Sequence, residues 1–228
     1  VIPPFDLLPP LLEGLRVTLV LTAAGAVLAL AAALAAGLAR ISRRAWVRGL
    51  ALAYIDVFRG TSALVQLFWA YFALPLLGVR LDAVTAGILV LGLNIGAYGA
   101  EVARGALLAV PRGQWEAARA LGFSHRQAIA RVVLPQAVPA MLPPFGNLSI
   151  ELLKSTALVS LITLADLTFQ GQIVRAATFR SAEVFGLVLL LYFGVAQAMA
   201  FGMRRLEARL ARGRAGGPAG GPADGWAG

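Results

Sequence analysis

The chain has 228 residues, 59% of them hydrophobic and only 14% charged, with a formal net charge of +9. Soluble domains carry about 25% charged residues, so this composition excludes a disordered chain, argues against a soluble enzyme and points to a polytopic membrane protein. There is no cysteine and one histidine, which removes disulfides and the usual zinc and iron–sulfur ligand sets; no metal or cofactor is expected.

Residues 1–10 contain four prolines, Pro3, Pro4, Pro9 and Pro10, and are expected at the outer membrane interface. No basic stretch precedes the first apolar run, so no cleavable signal is expected. A membrane-spanning helix needs about 20 apolar residues, and five stretches qualify. The first is 17–39. The second is 61–79, with its helix beginning near Ala51 and a break at Gly60-Thr61. The third is 83–100. The fourth is a longer run of 137–165, interrupted by Glu151 and Lys154. The fifth is 184–203. Alanine, leucine and valine dominate, and the alternation of a barrel strand is absent. The fold class is therefore all-α, with about five transmembrane helices. Residues 11–212 form the transmembrane domain, and the Gly/Pro/Ala-rich tail of 213–228 is expected to be a disordered cytoplasmic tail.

The basic residues set the orientation. All but one of the 20 are arginine. Four lie between the first two stretches, at Arg40, Arg43, Arg44 and Arg48. Five more, Arg104 to Arg131, lie between the third and fourth, and another five, Arg204 to Arg214, follow the fifth. The positive-inside rule then puts the N-terminus outside and the C-terminus in the cytoplasm. Topology and attraction to anionic lipid explain most of these charges. No basic patch interleaved with aromatics suggests nucleic acid.

The loop of about 111–135 is long enough to have its own structure. Residues 114–121 are good helix formers apart from Trp115. Gly122 stands where a helix would stop in a left-handed conformation. Ser124 and Gln127 have capping-box spacing, which starts a second helix. Pro135 then kinks or restarts the chain. Two short helices joined at a glycine elbow are predicted, either as a lever for a partner or as an amphipathic loop held by lipid.

The spacing Glu116-Ala117-Ala118, Gly122 and Val132-Val133-Leu134-Pro135 resembles the EAA motif of ABC importer permeases. That pattern is EAA, three residues, G, nine residues, then I-x-L-P, and only Val132 departs from it. Phe58-Arg59-Gly60-Thr61, Tyr98-Gly99-Ala100-Glu101, Leu142-Pro143-Pro144-Phe145-Gly146-Asn147 and Leu152-Leu153-Lys154-Ser155-Thr156 resemble the polar amino acid subfamily, which differs at Ser155 and Ala157. The resemblance covers roughly 11–212. It implies a type I (MetI-like) permease fold in a bacterial inner membrane. It also implies coupling to an ATP-binding cassette subunit through Glu116, Ala117, Ala118, Gly122, Leu134 and Pro135. In the family, small side chains at Ala117 and Ala118 permit close approach to that partner. The implied assembly adds a second permease, identical or paralogous, and an extracytoplasmic solute-binding protein that delivers a polar amino acid for alternating-access transport.

No P-loop is present. Lys154 precedes Ser155 but follows Leu153 within an apolar run, whereas a P-loop has glycine before its lysine. ATP hydrolysis is therefore expected in a separate subunit, and no catalytic residue is assigned here. Ionisable residues inside spans cost about 2.5–3.5 kcal/mol each on insertion scales. Glu101 and Arg104 have i, i+3 spacing, as do Glu151 and Lys154, with Asn147 one turn earlier. The latter stripe is expected to face the bundle interior, either lining a substrate path or forming an internal ion pair. Gln66 and Asn94 are further path candidates, and Asp56 and Arg59 are spaced to pair. An ion-gradient-driven transporter is the alternative, but such folds show inverted repeats, and none is visible. A membrane-embedded enzyme ranks last, because no catalytic motif is found.

Overall fold

Leu8–Arg40 forms one unbroken helix, α1. Its 33 residues span roughly 50 Å, well beyond the roughly 30 Å hydrocarbon layer. The structure, a computed structural model, describes residues 4–212. The 213–228 tail expected to be disordered, and residues 1–3, lie outside the described residues. Residues 4–10 are helical, because a 3₁₀ turn at Pro4–Leu7 runs straight into α1. Pro9 and Pro10 sit in the first turn of α1, where a missing N–H costs nothing. The first span thus begins nearer Leu8 than residue 17.

The second span is broken, not straight. Helix α2, Ala45–Gly60, and the helical segment Ala63–Leu77 meet at 103°. That segment is α3, Ala63–Phe68, followed by a π turn and a 3₁₀ turn. The break falls at Gly60-Thr61, as the sequence predicts. Helix α4 is Ala83–Leu108 and runs two turns past residue 100. It starts at Asp82, whose carboxylate accepts from the Thr85 hydroxyl at 2.6 Å and amide at 3.0 Å. Those two bonds hold the Asp82 carboxyl below its usual range.

Two short helices follow, α5 (Arg112–Ala120) and α6 (His125–Ala128). A π turn at Ile129–Val133 joins α6 to α7, Leu134–Ser155, without interruption. Pro135 has no N–H for the carbonyl four residues back, and the chain is wound wide in the five residues before Leu134. A proline restart is therefore absent; the loop's second helix is the first part of the fourth span. A 3₁₀ stretch, Thr156–Ile162, leads to α8 (Leu167–Thr178) and then α9 (Ser181–Arg212). Among the described residues four helices are long and apolar enough to cross a membrane, five if the bent α2–α3 pair counts as one span.

The core is a seam of small residues between α1 and α4. A Cβ at Gly96 would lie 2.8 Å from the Ala32 Cβ, and one at Gly37 2.7 Å from the Ala103 Cβ. Helices in lipid gain little from hydrophobicity against each other, so close backbone approach supplies the packing energy. Tyr54 donates to the Leu93 carbonyl at 2.7 Å and fixes α2 on the same helix. Leu189, Leu190, Phe193 and Phe201 of α9 are exposed, as a lipid-facing helix requires.

Asp166 is fully buried and caps α8. Its two carboxylate oxygens accept from the amides of Phe169 at 2.9 Å and Thr168 at 3.2 Å. The Tyr192 hydroxyl of α9 donates to it at 3.3 Å. We expect Asp166→Ala to destabilise the chain by about 1–2 kcal/mol, the usual range for a lost cap. Thermal unfolding in detergent measures this, and Asp166→Asn should retain most of the stability.

Candidate functional site

The elbow between α5 and α6 is built from backbone hydrogen bonds. The Gly122 amide donates to the Arg119 carbonyl at 2.9 Å, and the Phe123 amide to the Ala118 carbonyl at 3.0 Å. Together these form a Schellman motif, which needs a left-handed residue between its two bonds. Gly122 supplies it with φ of +77°. The chain then turns into α6 through the predicted capping box. The Ser124 hydroxyl oxygen accepts from the Gln127 amide at 3.4 Å, and the Gln127 side-chain oxygen accepts from the Ser124 amide at 2.9 Å. The stack of Trp115 on His125, 5.8 Å between ring centres, clamps the two helices together. The Gln136 side chain donates to that of Gln114 at 3.2 Å and ties α5 to the start of α7.

Glu116 and Ala117 are exposed, whereas Ala118 is 2% exposed and packs inward. The Ala117 side chain is therefore on the outer surface of the elbow, while the bonds of the elbow turn Ala118 toward the rest of the chain. Leu134 is partly buried and Pro135 exposed at the first turn of α7.

The polar stripe of α7 forms as spaced but points elsewhere than expected. Lys154 Nζ lies 2.9 Å from the Glu151 carboxylate, and Asn147 shares that face. The side chains of Lys154 and Glu151 are 62% and 56% exposed, so within one chain the stripe faces outward, not into the bundle. The reason is local: Leu152 and Leu153 take the inward positions at that level.

Glu101 lies apart from this face. It pairs with Arg104 at 2.8 Å and with Arg40 at 3.6 Å, tying the ends of α1 and α4. The Arg40 contact joins residues distant in sequence, and no local spacing signals it. Asn94 and Gln66 come together at the broken span. Both donate to the Phe58 carbonyl, at 2.8 and 3.0 Å, and the Asn94 side-chain amide also donates to the Gln66 side-chain oxygen at 3.2 Å. Gln66 also donates to the Thr61 hydroxyl at 2.7 Å. The break frees the Phe58 carbonyl, and a buried carbonyl needs a partner. Their first task is therefore to seal the break. Among the described residues no ion pair joins Asp56 to Arg59; Arg59 lies over the Tyr98 ring at 5.2 Å.

The chain is thus a helical membrane bundle with a broken span, a small-residue seam between α1 and α4 and a helical elbow between two spans. Residues 25–212 match the family described as binding-protein-dependent transport system inner membrane component. The chain belongs to that family. It is 48% identical over 215 residues to the probable amino-acid ABC transporter permease protein y4tF of Sinorhizobium fredii, covering 92% of this chain and 90% of that one. It is 40% identical over 206 residues to the glutamine transport system permease protein GlnP of Escherichia coli (strain K12), covering 89% and 94%. A solved amino acid ABC transporter with histidines superposes with a TM-score of 0.83 at 36% identity, over 90% of this chain and 96% of that one. The MetNI methionine ABC transporter shares the fold, with a TM-score of 0.77 at 23% identity, over 92% and 99%. The chain is a multi-pass inner-membrane permease subunit of an ABC importer. Gradient-driven secondary transport is set aside.

Proposed function

We propose that this permease imports a polar amino acid, and that Asn147, Glu151 and Lys154 line its path. The exposed ion pair on α7 carries the reading. Each charge facing hydrocarbon would cost about 2.5–3.5 kcal/mol, so this face is to be covered by a second permease, identical or paralogous, with a polar passage between them. A zwitterionic substrate presents an ammonium for Glu151 and a carboxylate for Lys154. The amino-acid and glutamine transporters among the relatives support that substrate class.

In this reading residues 11–212 form the transmembrane domain and the elbow, within 111–135, is the coupling loop. The N-terminus lies outside and the C-terminus in the cytoplasm, which puts the elbow where an ATP-binding cassette subunit docks. Glu116 and Ala117 meet that subunit, Gly122 sets the angle of the lever, and Leu134 with Pro135 passes its motion to α7. A solute-binding protein delivers substrate from outside. Closure and opening of the nucleotide-binding partners drive alternating access, and the spans follow as rigid bodies. This chain makes and breaks no covalent bond.

The test is transport by Glu151→Gln and Lys154→Met permeases, reconstituted with the ATPase and binding protein. Each should lose tenfold or more of uptake and most of the substrate-stimulated ATPase activity. Unchanged uptake in both variants would remove the α7 face from the path.

A further inference from the structure

Behind the elbow lies a cavity of about 360 Å³. Ile41, Leu108 and Trp115 give it an apolar wall, and Arg43, Arg112 and Arg119 a cationic one. Ile41 directly follows α1 and Leu108 ends α4, so the cavity sits at the same end of two spans. None of the three guanidinium groups is in an ion pair, side-chain hydrogen bond or ring contact among the described residues. Glu116 is the one carboxylate on the wall and leaves a surplus of positive charge. His125 also lines the cavity, and its Nε2 is buried without a hydrogen-bond partner. A buried polar atom of this kind calls for a partner.

We propose that this cavity holds the headgroup of an anionic phospholipid. The phosphate sits on Arg43, Arg112 and Arg119, in the forked geometry that guanidinium offers phosphate. His125 Nε2 meets the same headgroup, and the acyl chains leave past Ile41 and Leu108. The apolar wall at the ends of two spans favours a lipid over a free phosphate ion, which would have no use for it. Juxtamembrane arginines are drawn to anionic lipid on general electrostatic grounds, and here three of them line one open cleft. The lipid would bridge the end of α1 to α5 and so fasten the elbow to the spans. This site stands whether or not the elbow docks an ATPase, and its test reads lipid retention, not transport.

Native mass spectrometry of the full chain, purified in mild detergent, reads the bound lipid. Wild type should retain one phosphatidylglycerol per chain against added phosphatidylcholine. The Arg43→Gln/Arg112→Gln/Arg119→Gln variant should lose it, while Arg205→Gln on α9 keeps it. A photoactivatable phosphatidylglycerol on unaltered protein covers the case of a misfolded variant. Its label should fall on peptides containing residues 41–48 and 112–125. Equal retention in the triple variant, equal binding of phosphatidylcholine or labelling only elsewhere would overturn the proposal. Displacement by inorganic phosphate would overturn the lipid as source, because a small anion would then suffice. Displacement by the bound ATP-binding subunit would assign the arginines to a protein contact instead.

Discussion

Gly122→Val should abolish coupling while leaving a folded permease. A Cβ at Gly122 would meet nothing within 4 Å, so no clash disturbs the bundle. The cost arises in the backbone alone: at φ of +77° a β-branched residue is an outlier, and the left-handed region costs roughly 1–2 kcal/mol even for ordinary residues. The cheapest relief is to open the Schellman motif, which lets α5 swing relative to α6. Transport and substrate-stimulated ATPase activity should fall at least tenfold, with the detergent-solubilised yield and unfolding temperature near wild type. Uptake assays on reconstituted complexes, run beside thermal unfolding, separate the two effects. Gly122→Asn should retain more activity than Gly122→Val, because asparagine tolerates that conformation better.

Gly14→Val should do the opposite and destroy the fold before function is reached. A Cβ at Gly14 would lie 2.7 Å from the Asp166 carbonyl oxygen and 2.8 Å from the Leu167 Cα. Both are backbone atoms and cannot step aside as a side chain would. The same junction is held by the Thr18 hydroxyl oxygen, which accepts from the buried Leu167 amide at 3.1 Å. Forcing α1 away from α8 breaks that bond and disturbs the Asp166 cap beside it. Overpacking typically costs about 1–3 kcal/mol; loss of the buried bond adds to that. A stability loss of about 3 kcal/mol or more is expected, read as a large fall in monodisperse yield and unfolding temperature. Gly49→Val is the control, because a Cβ there meets nothing within 4 Å. It should change stability by no more than about 0.5 kcal/mol.

These two glycines also mark what a reader of the sequence can and cannot see. Gly122 was legible because its signals are local: a helix former run, a glycine and then a capping box within a dozen residues. The break at Gly60-Thr61 was legible for the same reason, although its 103° angle depends on packing. Gly14 carries no local signal, since its neighbour Asp166 lies more than 150 positions away. The Arg40–Glu101 bridge is invisible for that reason too; the Trp115–His125 stack is close in sequence but depends on the angle of the elbow, which no spacing gives. Helix α8 follows the long apolar run and is too short and polar to read as a span, although Asp166 before Leu167 is a capping signal. Spacing puts Asn147, Glu151 and Lys154 on one helix face, and within one chain that face is exposed. Periodicity locates a face; whether it turns to its own bundle or to a second chain depends on neighbours the helix pattern does not contain.

The decisive measurement is uptake of radiolabelled glutamine and related amino acids into proteoliposomes. The permease would be reconstituted with and without its ATP-binding subunit, with binding protein added outside. Uptake should require the ATP-binding subunit, ATP on its side of the membrane and binding protein on the other, and should persist after ion gradients are collapsed. Accumulation driven by a proton or sodium gradient in the absence of the ATP-binding subunit would contradict an ATP-driven importer coupled through the α5–α6 elbow.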